Sequence, residues 1–377
     1  MLLNYVFGRT ILVILLIISN FATKLTCTMG LLRLFFALSV VLGHIQINLL
    51  ISPTYAVQGF YIISGFYMSM ILNEKYNTPL LNTTFYKRRF MRLLPTYWLI
   101  GIISFIIALC FYHRNESNIL FFDFINFPTN SSLLTWLFLI FSNIFIWGQD
   151  LALFLVISPE NGSLNFSALS FGETYPALRY MLIPVAWSVS TEFTFYIIAP
   201  YVLRNKQKIV LVLFIISILS NIFTNYYGLN NSNWRFRFFP SVLLFFLTGY
   251  YAYLIYRKYL QYHISLHNKH LIIISVLSLM TIILNYDISF SFNVFILLVF
   301  GVIMIPLLFA SFKNEKIDRI IGEMSYPLYL IHPIMIGIDE LTGLHSKLFI
   351  VIASLVGAFC CYHFYICPLE KMRYRIN

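Results

Sequence analysis

The chain has 377 residues, of which 60% are hydrophobic, 18% are aromatic and only 10% are charged, and its formal net charge is +11. A water-soluble domain of this length carries far more charge, so the composition excludes a soluble protein and indicates a polytopic membrane protein. The basic residues stand in short clusters between apolar runs, as in cytoplasmic loops, so the positive charge does not indicate a nucleic-acid partner. The sequence therefore predicts an all-α, polytopic transmembrane helix bundle in a lipid bilayer.

Apolar stretches long enough to cross the membrane recur along the chain. We predict ten spans, at about 30–50, 53–73, 94–112, 183–203, 208–226, 237–256, 270–286, 292–311, 320–338 and 346–366. Basic residues cluster in the loops 74–92, 204–208, 257–270 and 312–319 and in the tail. The positive-inside rule places these clusters in the cytoplasm. Residues 1–29 form an N-terminal extension or an extra apolar segment, and residues 30–377 form the membrane domain.

One apolar segment, 134–157, does not fit as an eleventh span, because another crossing would move the basic turn 204–208 outside. Its middle reads Trp147-Gly148-Gln149-Asp150, a polar interruption. Irregular backbone is tolerated at membrane depth only where it is buried in protein or lines a cavity. We predict a broken or re-entrant segment that enters and leaves on the outer side, within an outward-facing region at 113–182.

The first predicted span carries two ionisable side chains, Arg33 and His44, among apolar residues. Such residues are costly inside a bilayer unless they face protein or water, so they are a functional hypothesis by default. Their separation corresponds to three helical turns, about 16 Å, with both on roughly one face. Arg33 would hold an anionic group near the surface, and His44 would handle protons deeper in. The alternative is that Arg33 is a topology signal and His44 a packing residue.

The second span and the basic stretch after it supply further candidates. Ser64, followed by Gly65, allows another helix to approach closely, and pure packing is the alternative to a substrate contact. Arg89 and Arg92 are three residues apart, so on a helix they point the same way. Two guanidinium forks on one face suit phosphate oxygens. Binding of anionic lipid head groups, or a plain topology signal, is the alternative.

Two later spans contain ionisable groups inside apolar sequence. Glu192 needs a partner or a proton in the bilayer, and Tyr196 shares its helix face. A structural pair with an Arg or a His elsewhere is the alternative for this carboxyl. His332 lies deep in a late span beside Pro333, which perturbs the helix. Both a packing role and a chemical role stay open for His332.

Together these motifs resemble the integral-membrane acyltransferase type 3 family from about residue 30 to the end. The matching residues, in the family's order, are Arg33, Ala37 and His44; 60–66; Arg89, Arg92 and Pro95; Trp187, Ser188, Glu192, Phe195 and Tyr196; and Ser325, Tyr329 and His332. Each motif is weak alone, and five in order are specific. Two positions depart from the family's pattern: Gln58 stands where many members carry Asp, and Ile366 where many carry Glu.

The resemblance implies transfer of an acyl group, usually acetyl, from cytoplasmic acetyl-CoA to a sugar hydroxyl on the outer side of the membrane. On this hypothesis Arg33, Arg89 and Arg92 bind the anionic part of CoA. His44 acts as general base or carries the acyl group transiently, and Glu192 orients or charge-balances its imidazole. Substrate-contacting or supporting residues are Ser64, Trp187, Ser188, Tyr196 and His332, and no metal is required.

The acceptor most consistent with the family is a lipid-linked or surface polysaccharide, such as an O-antigen or capsule sugar, in a bacterial inner membrane. The alternative function is a proton-coupled transporter or flippase, in which Glu192, His44 and His332 relay protons. A transporter of that kind predicts broken helices at paired positions of two repeats, and the sequence shows no repeat. A purely structural or partner-binding membrane protein does not explain why Arg33 and His44 occur together with the arginine pair.

Overall fold

The computed structural model describes residues 29–111, 130–168, 176–229, 231–260, 280–281, 290–312 and 316–369. Within these ranges the chain is helical apart from one two-stranded hairpin and short turns. Ten of the described helices have 13 or more residues, and six described helices are long and apolar enough to cross a membrane. The protein is therefore an all-α integral membrane protein, as predicted.

The helices are α1 (Met29–His44), α2 (Pro53–Glu74), α3 (Asn82–Phe111), α4 (Leu133–Phe145), α5 (Trp187–Val202), α6 (Gln207–Tyr226), α7 (Ser232–Phe236), α8 (Phe239–Ile255), α9 (Phe290–Phe312), α10 (Lys316–Thr342) and α11 (Lys347–Cys361). The antiparallel strands are β1 (Leu155–Ile157) and β2 (Leu164–Phe166). Single π-helical turns, Tyr256–Leu260 and Tyr362–Ile366, continue α8 and α11.

Six of these helices, α2, α3, α6, α8, α9 and α11, contain the segments that are long and apolar enough to span. α1 and α4 are apolar but shorter, α5 has only 16 residues, and α10 carries charged residues at both ends. The predicted span 270–286 lies outside the described residues apart from two positions. The count of ten spans therefore stays a prediction.

Helix α1 is shorter than predicted, because it ends at His44 and not at residue 50. Gln46 has a left-handed φ of 57°, and the N–H of Ile47 donates to the carbonyl of Leu42 at 2.9 Å. The N–H of Gln46 also bonds the carbonyl of Gly43, which completes a Schellman motif, an ending that usually requires glycine. His44 therefore lies at the end of a helix about 24 Å long and not at mid-span.

Helix α3 begins earlier than predicted, so Arg89 and Arg92 lie within a helix and not in a loop. The Tyr86 hydroxyl near its start donates to the carbonyl of Ile197 in α5, at 2.8 Å. This contact with a neighbouring helix stabilises helical structure in a basic stretch whose composition alone is typical of a loop.

The segment after α4 is broken, as predicted, and its polar turn is buried. Gln149 and Asp150 are 0% and 7% exposed. The Gln149 amide donates to the Tyr97 hydroxyl at 2.9 Å, and Ser190 donates to the Asp150 carboxylate at 2.7 Å. Polar groups inside the bundle therefore satisfy the interruption, which is the condition for irregular chain at membrane depth.

The same segment returns toward its starting point. The hairpin of β1 and β2 follows the polar turn, and Gly162 at its tip accepts a bond from the N–H of Ser132, directly before α4, at 3.0 Å. The hydroxyl of Thr135 bonds the same carbonyl at 2.6 Å. The chain therefore returns to the end at which α4 begins, and the re-entrant arrangement in the membrane stays a prediction. That this end is the outer one also stays a prediction.

Glycines set the closest helix contacts. A Cβ on Gly65 of α2 would lie 1.9 Å from the carbonyl oxygen of Phe246 in α8, and a Cβ on Gly249 of α8 would lie 2.2 Å from that of Ile62. A Cβ on Gly30 of α1 would lie 1.8 Å from the carbonyl oxygen of Asp318 in α10. Two helix pairs, α2 with α8 and α1 with α10, therefore pack backbone to backbone.

Candidate active site

A pocket enclosing about 1090 Å³, its open mouth included, lies between α1, α2, α3, α5 and α10. The predicted site residues that line it are Arg33, Ser64, Arg89, Arg92, Ser188, Glu192 and Tyr196. Its wall does not include three others, His44, Trp187 and His332. The structure thus brings most of the predicted site into one cavity and leaves the two histidines in a separate group.

The three arginines in the pocket wall differ in their partners. Arg92 forms an ion pair with Glu323 of α10, with Nη2 and Oε1 2.8 Å apart. The Nε of Arg89 is buried and has no hydrogen-bond partner in the described part of the protein. Arg33 reaches the same cavity from α1. Buried hydrogen-bond donors normally have an acceptor. An anionic ligand in this cavity would supply the acceptor that the Arg89 Nε lacks.

Glu192 is held by two hydroxyl groups. Its Oε1 accepts a bond from Ser64 at 2.5 Å and a second, short bond from Tyr196 one helical turn along α5. Ser64 is also 3.3 Å from the Tyr196 hydroxyl. These two bonds tie Glu192 to α2 and to its own helix. That Glu192 orients or charge-balances the His44 imidazole stays a prediction. Sequence reasoning could not name this partner, since Ser64 is 128 residues away.

His44 packs against His332, with ring centroids 5.0 Å apart. The His44 Nδ1 is 2.8 Å from the carbonyl of Val40, and because a carbonyl can only accept, Nδ1 carries the hydrogen. This leaves Nε2 as an acceptor for a proton. His44 is exposed, whereas His332 is fully buried with neither ring nitrogen bonded to a described residue.

The parallel packing of α1 and α10 explains why the two histidines meet. At one end the N–H of Gly30 donates to the Asp318 carboxylate at 2.8 Å, and at the other end the two rings touch. Arg33 consequently lies near Glu323, and His44 lies beside His332. Two motifs almost 300 residues apart in the chain therefore form one site along a helix pair.

Tyr329 connects the pocket to the histidines. Its hydroxyl is 2.8 Å from Ser188 Oγ and 2.9 Å from the carbonyl of Val185, and its ring lies edge-on to Phe60 and to His332. The sequence resemblance included Tyr329 as a motif residue and gave it no role. Its position at the boundary assigns it to the site.

Arg237, directly after α7 and two residues before α8, was missed by sequence reasoning. Its guanidinium lies over the Trp187 ring, 4.9 Å from the centroid. Trp187 directly precedes Ser188, whose hydroxyl is 2.8 Å from that of Tyr329, and the Tyr329 ring lies edge-on to His332. The available signal was an arginine in a loop that the charge pattern places outside. Trp187 is therefore linked to the histidine end of the site and not to the pocket wall.

The two departures from the family's pattern have different surroundings. Gln58 is fully buried, and neither atom of its amide is bonded to a described residue, whereas Ile366 lines the pocket. Across the described residues, no three His, Cys, Asp or Glu side chains come together in a way that could hold a metal ion.

The fold and the site define an integral membrane protein with a cationic pocket in its helix bundle and a histidine pair beside it. The sequence model of the acyltransferase domain of the acyltransferase 3 family matches residues 29–366. The chain belongs to that family, and membership implies acyltransferase activity with an acyl donor and an acceptor. No curated protein and no solved structure gives a significant match to this chain.

Proposed function

We propose that the protein moves an acetyl group from cytoplasmic acetyl-CoA to a hydroxyl of a lipid-linked or surface polysaccharide in a bacterial inner membrane. The observation that carries the proposal is the pocket, which gathers Arg33, Arg89 and Arg92 at one end of α1 while His44 ends the same helix. The phosphates of acetyl-CoA are anionic and need cations, whereas its thioester is uncharged and reacts beside a proton acceptor. The two groups are far apart in the donor, as the arginines and His44 are along α1.

The donor fits the arginine end of the pocket. Guanidinium groups bind phosphate oxygens in a planar, two-pronged geometry, and the CoA portion of the donor is rich in phosphate. Arg89, with its unpartnered buried Nε, is the strongest candidate for such a contact. The rise along α1 from Arg33 to His44 is about 16 Å, a distance that a pantetheine arm can bridge.

His44 Nε2 serves the chemical step. As a general base it removes the proton of the acceptor hydroxyl, whose oxygen then bonds to the thioester carbonyl carbon. The carbon–sulfur bond breaks, and the proton passes finally to the departing CoA thiolate. Alternatively, the same nitrogen bonds to the thioester carbonyl carbon as the carbon–sulfur bond breaks. The sugar oxygen then bonds to that carbon as the carbon–nitrogen bond breaks, and the hydroxyl proton passes finally to the CoA thiolate. In both routes the Val40 carbonyl keeps the other ring nitrogen protonated and fixes the tautomer.

Glu192 acts on the pocket. Its carboxylate, bonded to Ser64 and Tyr196, places a negative charge in the same cavity as the arginines. We infer that it holds the pocket's shape and offsets part of its positive charge while the donor is absent. Ser188 and Tyr329 support the inner boundary through their mutual hydrogen bond.

Mass spectrometry of the surface polysaccharide tests the function. Cells with the wild-type protein should yield a glycan heavier by acetyl groups than cells without it. His44→Gln should abolish the difference at equal protein level, because loss of a general base costs roughly 10²–10⁴ in rate. His345→Gln, at an exposed position between α10 and α11, is the control and should acetylate normally.

Two outcomes would contradict the proposal. Identical glycan masses with and without the wild-type protein would remove polysaccharide acetylation. Near-normal acetylation by His44→Gln would remove His44 from the chemistry and with it this mechanism.

A further inference from the structure

The segment between α6 and α8 places arginines where the charge rule does not expect them. α6 begins at the basic turn 204–208, so its far end at Tyr226 faces outward if that turn is cytoplasmic. Arg235 and Arg237 follow on that outer side. Because topology does not account for positive charge there, each of the two arginines needs its own explanation.

Arg235 has a local structural role. Its Nη2 donates to the side-chain oxygen of Asn225 in the last turn of α6, at 3.2 Å. This bond joins α6 to α7 across the connection. Arg235 therefore provides an internal comparison for Arg237.

Arg237 is instead held toward the site from two sides. Its guanidinium carbon lies over the Trp187 ring, 4.9 Å from the centroid, and its Nη1 donates to the side-chain oxygen of Asn233 at 3.2 Å. Asn233 is itself anchored, because its amide donates to the carbonyl of Leu153 at 2.8 Å. The guanidinium is therefore oriented before any ligand arrives, which lowers the entropic cost of binding.

The position of Arg237 places a fixed cation at the histidine end of the site. Trp187, over which it lies, directly precedes Ser188 of the pocket wall. The Ser188 hydroxyl is 2.8 Å from that of Tyr329, and the Tyr329 ring lies edge-on to His332. The planar fork of N–H donors on a guanidinium suits carboxylate and phosphate oxygens.

We propose that Arg237, mounted on Trp187, binds an anionic group of the acceptor, a carboxylate or a phosphate, next to the hydroxyl that His44 activates. The acceptor is then an acidic glycan or a sugar close to a phosphate linkage, and not a neutral sugar chain. This inference rests on the proposed function for the role of His44, and it adds the chemical class of the acceptor.

A binding measurement tests the subsite without requiring acyl transfer. The full-length protein in lipid nanodiscs is melted with glucose, glucuronate or glucose 1-phosphate at constant ionic strength. A ligand that binds the folded state raises Tm according to its affinity. For the wild type we expect at least one anionic sugar to raise Tm more than glucose does, and the responding sugar distinguishes carboxylate from phosphate recognition.

Matched variants assign the effect to the residue. Arg235→Gln should keep the anionic Tm shift, and Arg237→Gln should reduce it to the value for glucose. Arg237→Lys, which keeps the charge and loses the planar fork, should weaken the apparent Kd several-fold, and it replaces Arg237→Gln if that variant does not accumulate.

Three results would overturn the inference: equal shifts for glucose and both anionic sugars in the wild type, a full anionic shift in Arg237→Gln, or an unchanged Kd in Arg237→Lys. The failures are separable from those of the proposed function. Anion binding at Arg237 without glycan acetylation would sink only the proposed function, and acetylation without anion binding would sink only the acidic acceptor.

Discussion

At the scale of single residues, Arg89 and Arg92 show how equal side chains on one helix face acquire different roles. Arg92 forms an ion pair with Glu323, whereas the buried Nε of Arg89 has no hydrogen-bond partner among the described residues. Both line the same pocket. Arg89 is therefore the arginine of the pair that is better placed to form a new hydrogen bond to an anionic acyl donor.

Replacing Arg89 by Lys should weaken acetyl-CoA binding by about tenfold or more, because a charge-assisted bond contributes roughly 1.5–3 kcal/mol and Lys lacks the fork. Calorimetric titration of the protein in nanodiscs measures the Kd. Arg88→Lys is the matched control, since Arg88 lies outside the pocket wall near the Tyr76 ring. Normal binding by a double Arg89→Ala, Arg92→Ala variant would refute the donor site.

At the scale of helices, the contact between α1 and α10 sets the register of the site. Gly30 and Gly322 let the two backbones touch, and this contact fixes the level at which His44 meets His332, about four turns after Gly30. A shift of one helix along the other would separate the rings while leaving each helix intact. The site is therefore sensitive to small residues at its opposite end.

Gly30→Ala should lower Tm and activity together, because its Cβ would lie 1.8 Å from the Asp318 carbonyl oxygen. Overpacking of this kind typically costs about 1–3 kcal/mol. Gly101→Ala is the control: its Cβ would meet nothing nearer than 3.8 Å, and Ala favours helix, so Tm should hold or rise. Thermal melting of the two purified variants decides the matter, and equal Tm values would contradict the packing argument.

At the scale of the whole molecule, the mechanism depends on sidedness. The donor pocket must face the cytoplasm, and the hairpin of β1 and β2, with the outward-facing region around it, must face the opposite compartment. The contacts that return the segment after α4 to the start of that helix are intramolecular. They fix its path within the protein, while the charge pattern predicts which end is outside.

Cysteine labelling checks this orientation. In a background without the five native cysteines, an impermeant thiol reagent added from outside should label Ser163→Cys in the hairpin and spare Ser265→Cys in the basic loop 257–270. The reason is that 113–182 is predicted outside and the basic loop inside. Position 265 lies outside the described residues, and permeabilised cells, in which both sites should react, are the control. The reverse labelling pattern would overturn the topology.

The sequence alone determined the class of protein and the approximate positions of most helices, and it named seven of the residues that line the pocket. Bilayer thickness imposes long apolar runs, and burial in lipid makes every ionisable residue within them conspicuous. The broken segment within 134–157 could be predicted for the same reason, because polar residues interrupt an apolar run there. α2, α6 and α9 accordingly lie within a few residues of their predicted spans.

Tertiary structure alone decided which residues meet. Three features of the site cannot be read from local composition. They are the left-handed Gln46 that ends α1, the bond between Glu192 and Ser64, and the position of the Arg237 guanidinium over the Trp187 ring. Each depends on contacts between segments that are distant in the chain or on a backbone conformation that the residue does not itself prefer. Periodicity and hydropathy indicate which side chains are buried. Only the packing of the helices determines which residues those side chains contact.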